Sequence, residues 1–221
     1  ALGIWNGFRV LAGFSLLSGM RLLGASTGLE VSGGGTSAVL SSSTLLNNTV
    51  GVLVSGGSLS MDHTVIQGSG ITGLQASGGT LDLQYNTLVA SGNFGVYVTG
   101  SEANLSLRNS IIAQSASVGV YRTAGTLTLS HNDAWDNRTN YSGVSVGPNS
   151  FSADPLFLSA SDFHLRATSP CRGVSSAGTD LGALPYDATL VASVQIVPAS
   201  VTVNASATTA LLARAYNAAG E

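Results

Sequence analysis

Lysine is absent from this chain, and all its side-chain positive charge rests on eight arginines. Charged residues of either sign fill only 9% of the 221 positions, against a usual share of about 25%. With a net charge of −3 and no basic run, nucleic acid and anionic membrane surfaces are not the expected partners. There is one cysteine, Cys171, which excludes an intrachain disulfide framework and a cysteine-based metal cluster. No apolar run reaches the ~18–20 residues of a membrane helix, because Arg9 and Arg21 interrupt the apolar N-terminus. Disorder combines low hydrophobicity with high net charge, whereas 44% of this chain is apolar. No signal peptide is visible, and the chain enters its pattern at Ala1 without Met, which reads as a mature product or a fragment.

What fills the space is a repeat. Six segments begin alike, at Gly7, Gly28, Gly51, Gly73, Gly95 and Gly119, spaced by 21, 23, 22, 22 and 24 residues. Each glycine opens an alternating piece, such as Gly51-Val-Leu-Val and Gly95-Val-Tyr-Val. A second alternating piece follows the later ones, as in Leu59-Ser-Met61 and Leu81-Asp-Leu83. A third, an apolar pair, recurs from Leu22-Leu23 through Val65-Ile66 to Ala134-Trp135. Gly, Ser and Asn lie between the pieces and are expected to supply the positive φ angles of tight turns.

Alternation with period two means strands with one buried face. The pattern therefore predicts an all-β protein, a right-handed parallel β-helix with three short strands per ~22-residue coil. Six coils at the ~4.8 Å strand spacing make a rod of roughly 29 Å. Its interior carries columns of like residues: Phe8, Leu29, Val52, Leu74, Val96 and Val120, with Val10, Val31, Val54, Ala76 and Val98 beside them. A leucine-rich repeat has an overlapping period, but its L-x-x-L-x-L-x-x-N motif fits no two neighbouring coils, and no 3.6-residue pattern covers a convex side.

From His131 the repeat gives way to His131-Asn-Asp-Ala-Trp-Asp-Asn137, Ser152-Ala-Asp-Pro-Leu-Phe157, Asp162-Phe-His-Leu165, Ser169-Pro-Cys171 and Asp180-Leu-Gly-Ala183. This series resembles the C-terminal end of bacterial right-handed parallel β-helix repeat proteins of the choice-of-anchor Q type. The resemblance covers about residues 1–187. It implies a pectate-lyase-like fold and an extracellular or cell-surface location, and says little about activity. An acidic residue commonly follows the Ser-Pro pair in that group; here Cys171-Arg172-Gly173 stands, and Asp180 is the candidate to order the terminal loop instead. Residues 1–187 thus form the β-helix with a terminal loop or cap at 135–187. Beyond them, Val191–Pro198, Val201–Val203 and Thr209–Tyr216 look like opening strands of a bacterial immunoglobulin-like domain. Such a sandwich needs about 100 residues, so residues 188–221 read as a partial domain or tail. They are expected to lie back along the rod or to complete a neighbouring molecule's sheet, which would allow self-assembly.

No phosphate loop, zinc motif or nucleophile elbow occurs, and neither cofactor nor metal is expected. Candidate chemistry lies on the outer face. Asp62 and Asp82 fall on the second strands of adjacent coils, offset by one coil and two residues, roughly 8 Å apart. That suits an acid–base carboxylate pair. Arg108, diagonal to Asp82, would be the base of a lyase, and His63 adjoins Asp62. The competing reading is a solvated ion pair between Asp82 and Arg108, contributing ~0–1 kcal/mol. In a second outward column, Arg9 faces Glu30, and Tyr97 and Tyr121 stack as either a glycan platform or plain cross-strand support. Arg122 breaks an inward column and is expected to pair with Asp133 or Asp136. His131, Asp133 and Asp136 read either as metal ligands or as loop-ordering hydrogen-bond partners. The outward column Ser60, Asp82, Ser106, Thr128 is too irregular for an ice-binding threonine ladder. The function expected is an extracellular structural or adhesive module that takes a polysaccharide or cell-surface glycan as partner; the alternative is a polysaccharide lyase or glycoside hydrolase.

Overall fold

The computed structural model describes residues 5–197, 210 and 212–217. It is a parallel β-helix of about six coils, followed by a small antiparallel sheet, with no helix among the described residues. The first coil carries β1 (Phe8–Val10), β2 (Phe14–Ser18) and β3 (Arg21–Leu23); the second carries β4 (Thr27–Val31), β5 (Ser37–Ser41) and β6 (Thr44–Leu46). In the third and fourth coils the first two strands run together, as β7 (Val50–Asp62) with β8 (Val65–Gln67), and β9 (Thr72–Gln84) with β10 (Thr87–Val89). The fifth and sixth return to three pieces: β11 (Phe94–Val98), β12 (Ala103–Arg108) and β13 (Ile111–Ala113), then β14 (Val118–Arg122), β15 (Thr126–Ser130) and β16 (Asp133–Trp135). β17 (Thr139–Ser142) pairs with β14 and begins one more turn.

Every strand of the coils pairs in parallel with its counterpart one coil away, and the expected columns are in register. Phe8, Leu29, Val52, Leu74, Val96 and Val120 align residue for residue. From Leu29 to Val120 this column is fully buried. The second strands add Leu40, Met61, Leu83 and Leu107, also buried and aligned. The third strands add Leu22, Leu45, Ile66, Leu88, Ile112 and Ala134. Here the apolar pairs of the sequence are not equivalent: Leu22 is the first of its pair and Ile66 the second, yet they share a column. The other member faces out, which places Val65, Val89, Ile111 and Ala113 on the outer side of the third sheet.

That outer side is covered. After β17 the chain bonds to the last coil, Phe151 N–H to Asn132 O and Ala134 N–H to Phe151 O. It then returns across the third sheet, packing Phe163 and Ala183 on Val65 and Val89, and Leu165, Cys171 and Leu181 on Ile111 and Ala113. The terminal loop therefore seals a flank of the rod as well as its end. Asp180 orders it as expected, accepting from Gly173 N–H at 3.0 Å and Tyr186 N–H at 2.9 Å.

The turns largely follow expectation: among the described residues 14 glycines have positive φ, as do Ser42, Asn47, Asn109 and Asn149. Two turn columns place other residues there as well, His63, Tyr85 and His131 in one and Ala90, Gln114 and Asp136 in the other, so stacking holds even aromatic residues in the left-handed region. The repeat glycines serve another need. Gly51 has ordinary φ, but a Cβ there would lie 2.4 Å from Gly73 O and 2.6 Å from Ile66 Cγ2. Gly28, Gly73 and Gly95 meet the next coil's glycine carbonyl at 2.6 Å in the same way. The obstacle is backbone, which cannot swing aside. Gly51→Ala is expected to cost about 3 kcal/mol or more, while Gly34→Ala, with nothing within 4 Å, leaves the thermal midpoint where it is; melts of the two variants check this.

Polar residues line both corners of the third strand. Asn86 Oδ1 accepts from Thr64 N–H at 3.1 Å, Ser110 Oγ from Asn86 N–H at 3.1 Å, and Asn132 Oδ1 from Ser110 N–H at 3.0 Å. Each of these side chains is buried, and each satisfies a turn N–H of the preceding coil. At the other corner Asn48 and Asn137 do the same for Ala25 and Ser115.

The described C-terminal strands find their partners in each other. β18 (Val191–Val197) and β19 (Leu212–Asn217) pair antiparallel with each other as a separate two-stranded sheet. Ile196, Val197 and Leu212 are exposed. The strand expected at residues 201–203 lies outside the described residues.

Candidate functional site

The outer face of the second strands brings together Asp82 and Arg108. Asp82 aligns with Ser60 and Ser106, while Arg108 aligns with Gln84 and, one coil further, Asp62. The Arg108 guanidinium grips Asp82 with two donors, Nη1 on Oδ1 and Nη2 on Oδ2 at 3.0 Å. Nη1 also donates to Ser106 Oγ at 3.2 Å. Asp62 is engaged by His63 instead, with Oδ2 to Nδ1 at 3.1 Å. The register thus sets the two carboxylates diagonally on adjacent coils, each on its own cationic or imidazole partner. A lyase base must be free to reach a substrate proton; here both terminal nitrogens of Arg108 already donate to Asp82.

On the first strands Arg9 pairs with Glu30, Nε to Oε2 at 2.8 Å. Tyr97 and Tyr121 stack with centroids 5.2 Å apart and planes within 8°. Phe94 leans on both, at 4.8 and 5.2 Å. Since the rings stand in one column, the faces turned to each other are occupied, and the cluster offers ring edges and phenol oxygens outward. Thr99 and Thr123 hydroxyls beside the Tyr97 phenol lower its pKa.

Arg122 requires a correction. It donates to backbone carbonyls, Nε to Gly143 O at 2.8 Å and Nη1 to Gly125 O at 3.0 Å, not to Asp133 or Asp136. The turn after β17 carries its carbonyls over the last inward column, so no acid is needed there. Asp133 points to the opposite flank. It is fully buried, accepts from Ala153 N–H at 3.0 Å, and receives the Cys171 thiol at 3.3 Å. Burial lifts its pKa to about 6 against these two hydrogen bonds, with the Asp154 charge adding to the rise. Burial also pushes the Cys171 thiol up, reinforced by Asp133. Burial and the Asp133 charge likewise raise the Tyr141 phenol to about 12. His131 meets Asn149 through Nε2 at 3.0 Å. Among the described residues no three His, Cys, Asp or Glu side chains gather as metal ligands, and Asp133 orders the loop.

Sequence reasoning missed a cleft of about 390 Å³ between the third sheet and the returning chain. Gln114 and Trp135 line one side and Asp154, Phe157, Phe163 and Arg166 the other. Phe157 and Phe163 meet edge to face at 5.1 Å. The only signal in the sequence was the aromatic content of the terminal motifs, because the two walls are separated by an excursion of the chain whose path no periodicity encodes. No family model, curated protein or solved structure matches this chain.

Proposed function

We propose that this chain is a structural and adhesive β-helix module of an extracellular or cell-surface protein, with its outer sheet face as a contact surface for glycans. The observation that carries this reading is the Asp82–Arg108 clamp on an open strand face: the groups best suited to chemistry neutralise one another, as side chains do on a stalk. Supporting it, the interior is a continuous ladder of apolar columns and satisfied corner amides, an arrangement that confers stiffness along the rod. The surface location rests on the resemblance of the terminal motifs to anchored β-helix proteins. Tyr97, Tyr121 and Phe94 form the aromatic edge that a polysaccharide would meet, and β18 and β19, with Ile196, Val197 and Leu212 exposed, offer a route to self-assembly.

The competing reading, a lyase or hydrolase built on Asp62, Asp82 and Arg108, is favoured by one fact, that these residues do share a face. Incubation with pectin, polygalacturonate, alginate and xylan separates the two. The expected result is no cleavage, together with retention on one or more immobilised glycans that weakens in Tyr97→Ala. Unsaturated-uronate absorbance that disappears in Arg108→Ala would replace the adhesive reading with the enzymatic one.

A further inference from the structure

We infer that the cleft between the third sheet and the returning chain binds a neutral pyranose ring. This goes beyond the outer-face reading and does not depend on it. At about 390 Å³ the cleft falls in the ~300–1,000 Å³ range of small-molecule sites, which pair apolar walls with a few fixed polar groups. The apolar part is Trp135 with Phe157 and Phe163. Trp135 aligns with the small Ala113 below it. The half-buried indole packs on the cluster of Ile111, Leu165 and Cys171 and lines the cleft with the surface that remains, and no other aromatic ring stacks on it among the described residues.

The polar part is tethered from behind. Arg166 donates from Nε to Phe157 O at 3.1 Å and from Nη2 to Leu158 O at 3.2 Å, which leaves Nη1 for a ligand. Asp154 Oδ1 caps Leu156 N–H at 2.9 Å, which leaves Oδ2. Gln114 is exposed at the rim, its backbone set at φ 59° by the turn column. A carboxylate accepts from hydroxyls, while a guanidinium and an amide donate to them. One cation beside one anion gives the cleft no net charge, which selects a neutral polyol over a uronate or an amino sugar. Because the backbone already holds Arg166 and Asp154, little side-chain freedom is lost on binding.

The test uses the full chain with Trp5→Phe, which leaves Trp135 as the single indole. Its emission is followed on titration with glucose, galactose, mannose and N-acetylglucosamine, with galacturonate as the charged comparator. The expected result is a saturable change with at least one neutral sugar. Affinity should fall about tenfold in Gln114→Gly, which suits the left-handed backbone, and in Asp154→Asn, which can keep the cap on Leu156. Both variants should melt like the parent. No saturable change with any neutral sugar, stronger binding of galacturonate, or full affinity in both variants would overturn the proposal. Sugar binding that requires Tyr97 while sparing Gln114 and Asp154 would also overturn it, and would leave the outer-face reading standing.

Discussion

Leu74→Asp is expected to abolish the cooperative fold. Leu74 lies in the fourth coil, fully buried, between Val52 and Val96 in one column. Removing a buried leucine costs about 2–5 kcal/mol by itself. The new carboxylate would face only apolar side chains along its column, and a buried charge without a partner adds several kcal/mol. Together these approach or exceed the ~5–15 kcal/mol that holds a typical domain. Position matters as much as chemistry. A solenoid coil gains its core only from its neighbours, so a break at the fourth coil leaves short stacks on either side, each with a new wet end. Leu74→Ile keeps volume and suits a strand, and its expected cost is below about 1.5 kcal/mol. Circular dichroism melts with limited proteolysis provide the readout. A cooperative transition in Leu74→Asp within a few degrees of the parent would mean the column is not the core.

The second large effect runs in the opposite direction. Asp133→Asn should stabilise the protein at neutral pH and have little effect near pH 4. The Asp133 pKa lies above its ordinary value, near 6, so the folded state prefers the protonated acid. The stability this provides is complete below the ordinary carboxylate range and is lost as pH rises through about 6. A rise from the ordinary carboxylate value to about 6 corresponds to roughly 3 kcal/mol, or about 6–12 °C for a chain of this size. The groups facing Asp133 do not cancel the effect: Cys171 stays protonated, Tyr141 stays neutral, and Asp154 is a like charge. Asparagine can still accept from Ala153 N–H and offers its amide to Cys171. Melting curves of parent and variant from pH 4 to pH 8 should converge at the acid end and diverge above pH 6. A variant destabilised above pH 6 but not at pH 4 would show that the carboxylate is structurally required in its charged form, and one destabilised equally at both ends that asparagine cannot replace the carboxyl group in either form.

Much of the solenoid was legible because stacking repeats its demands every coil. The alternation in Gly51-Val-Leu-Val and Leu81-Asp-Leu83 could satisfy only strands with one buried side, and the spacing of about 22 residues set the register that aligns Leu29 with Val52 and Leu74. The Arg9–Glu30 pair and the Tyr97–Tyr121 stack followed from register alone, as did the diagonal of Asp82 and Arg108. What the repeated glycine does was not legible. Its place at the head of each alternating piece was plain, but the constraint on it is a carbonyl of the next coil, which exists only once the coils are stacked.

Local pattern thus determined the strand pieces, their inward faces and the coil-to-coil columns, since period-two burial and repeat spacing are properties of neighbouring residues. Everything on the flank was decided by tertiary structure. Val65, Val89, Ile111 and Ala113 are covered by a chain returning from residues as far along as Ala183, 118 positions after Val65. Arg122 finds carbonyls instead of an acid because the turn after β17 arrives above it. Asp133 becomes buried, and Trp135 comes to face Asp154 and Arg166, for the same reason: an aperiodic excursion is placed by the surface it covers, and that surface forms only after the coils have stacked.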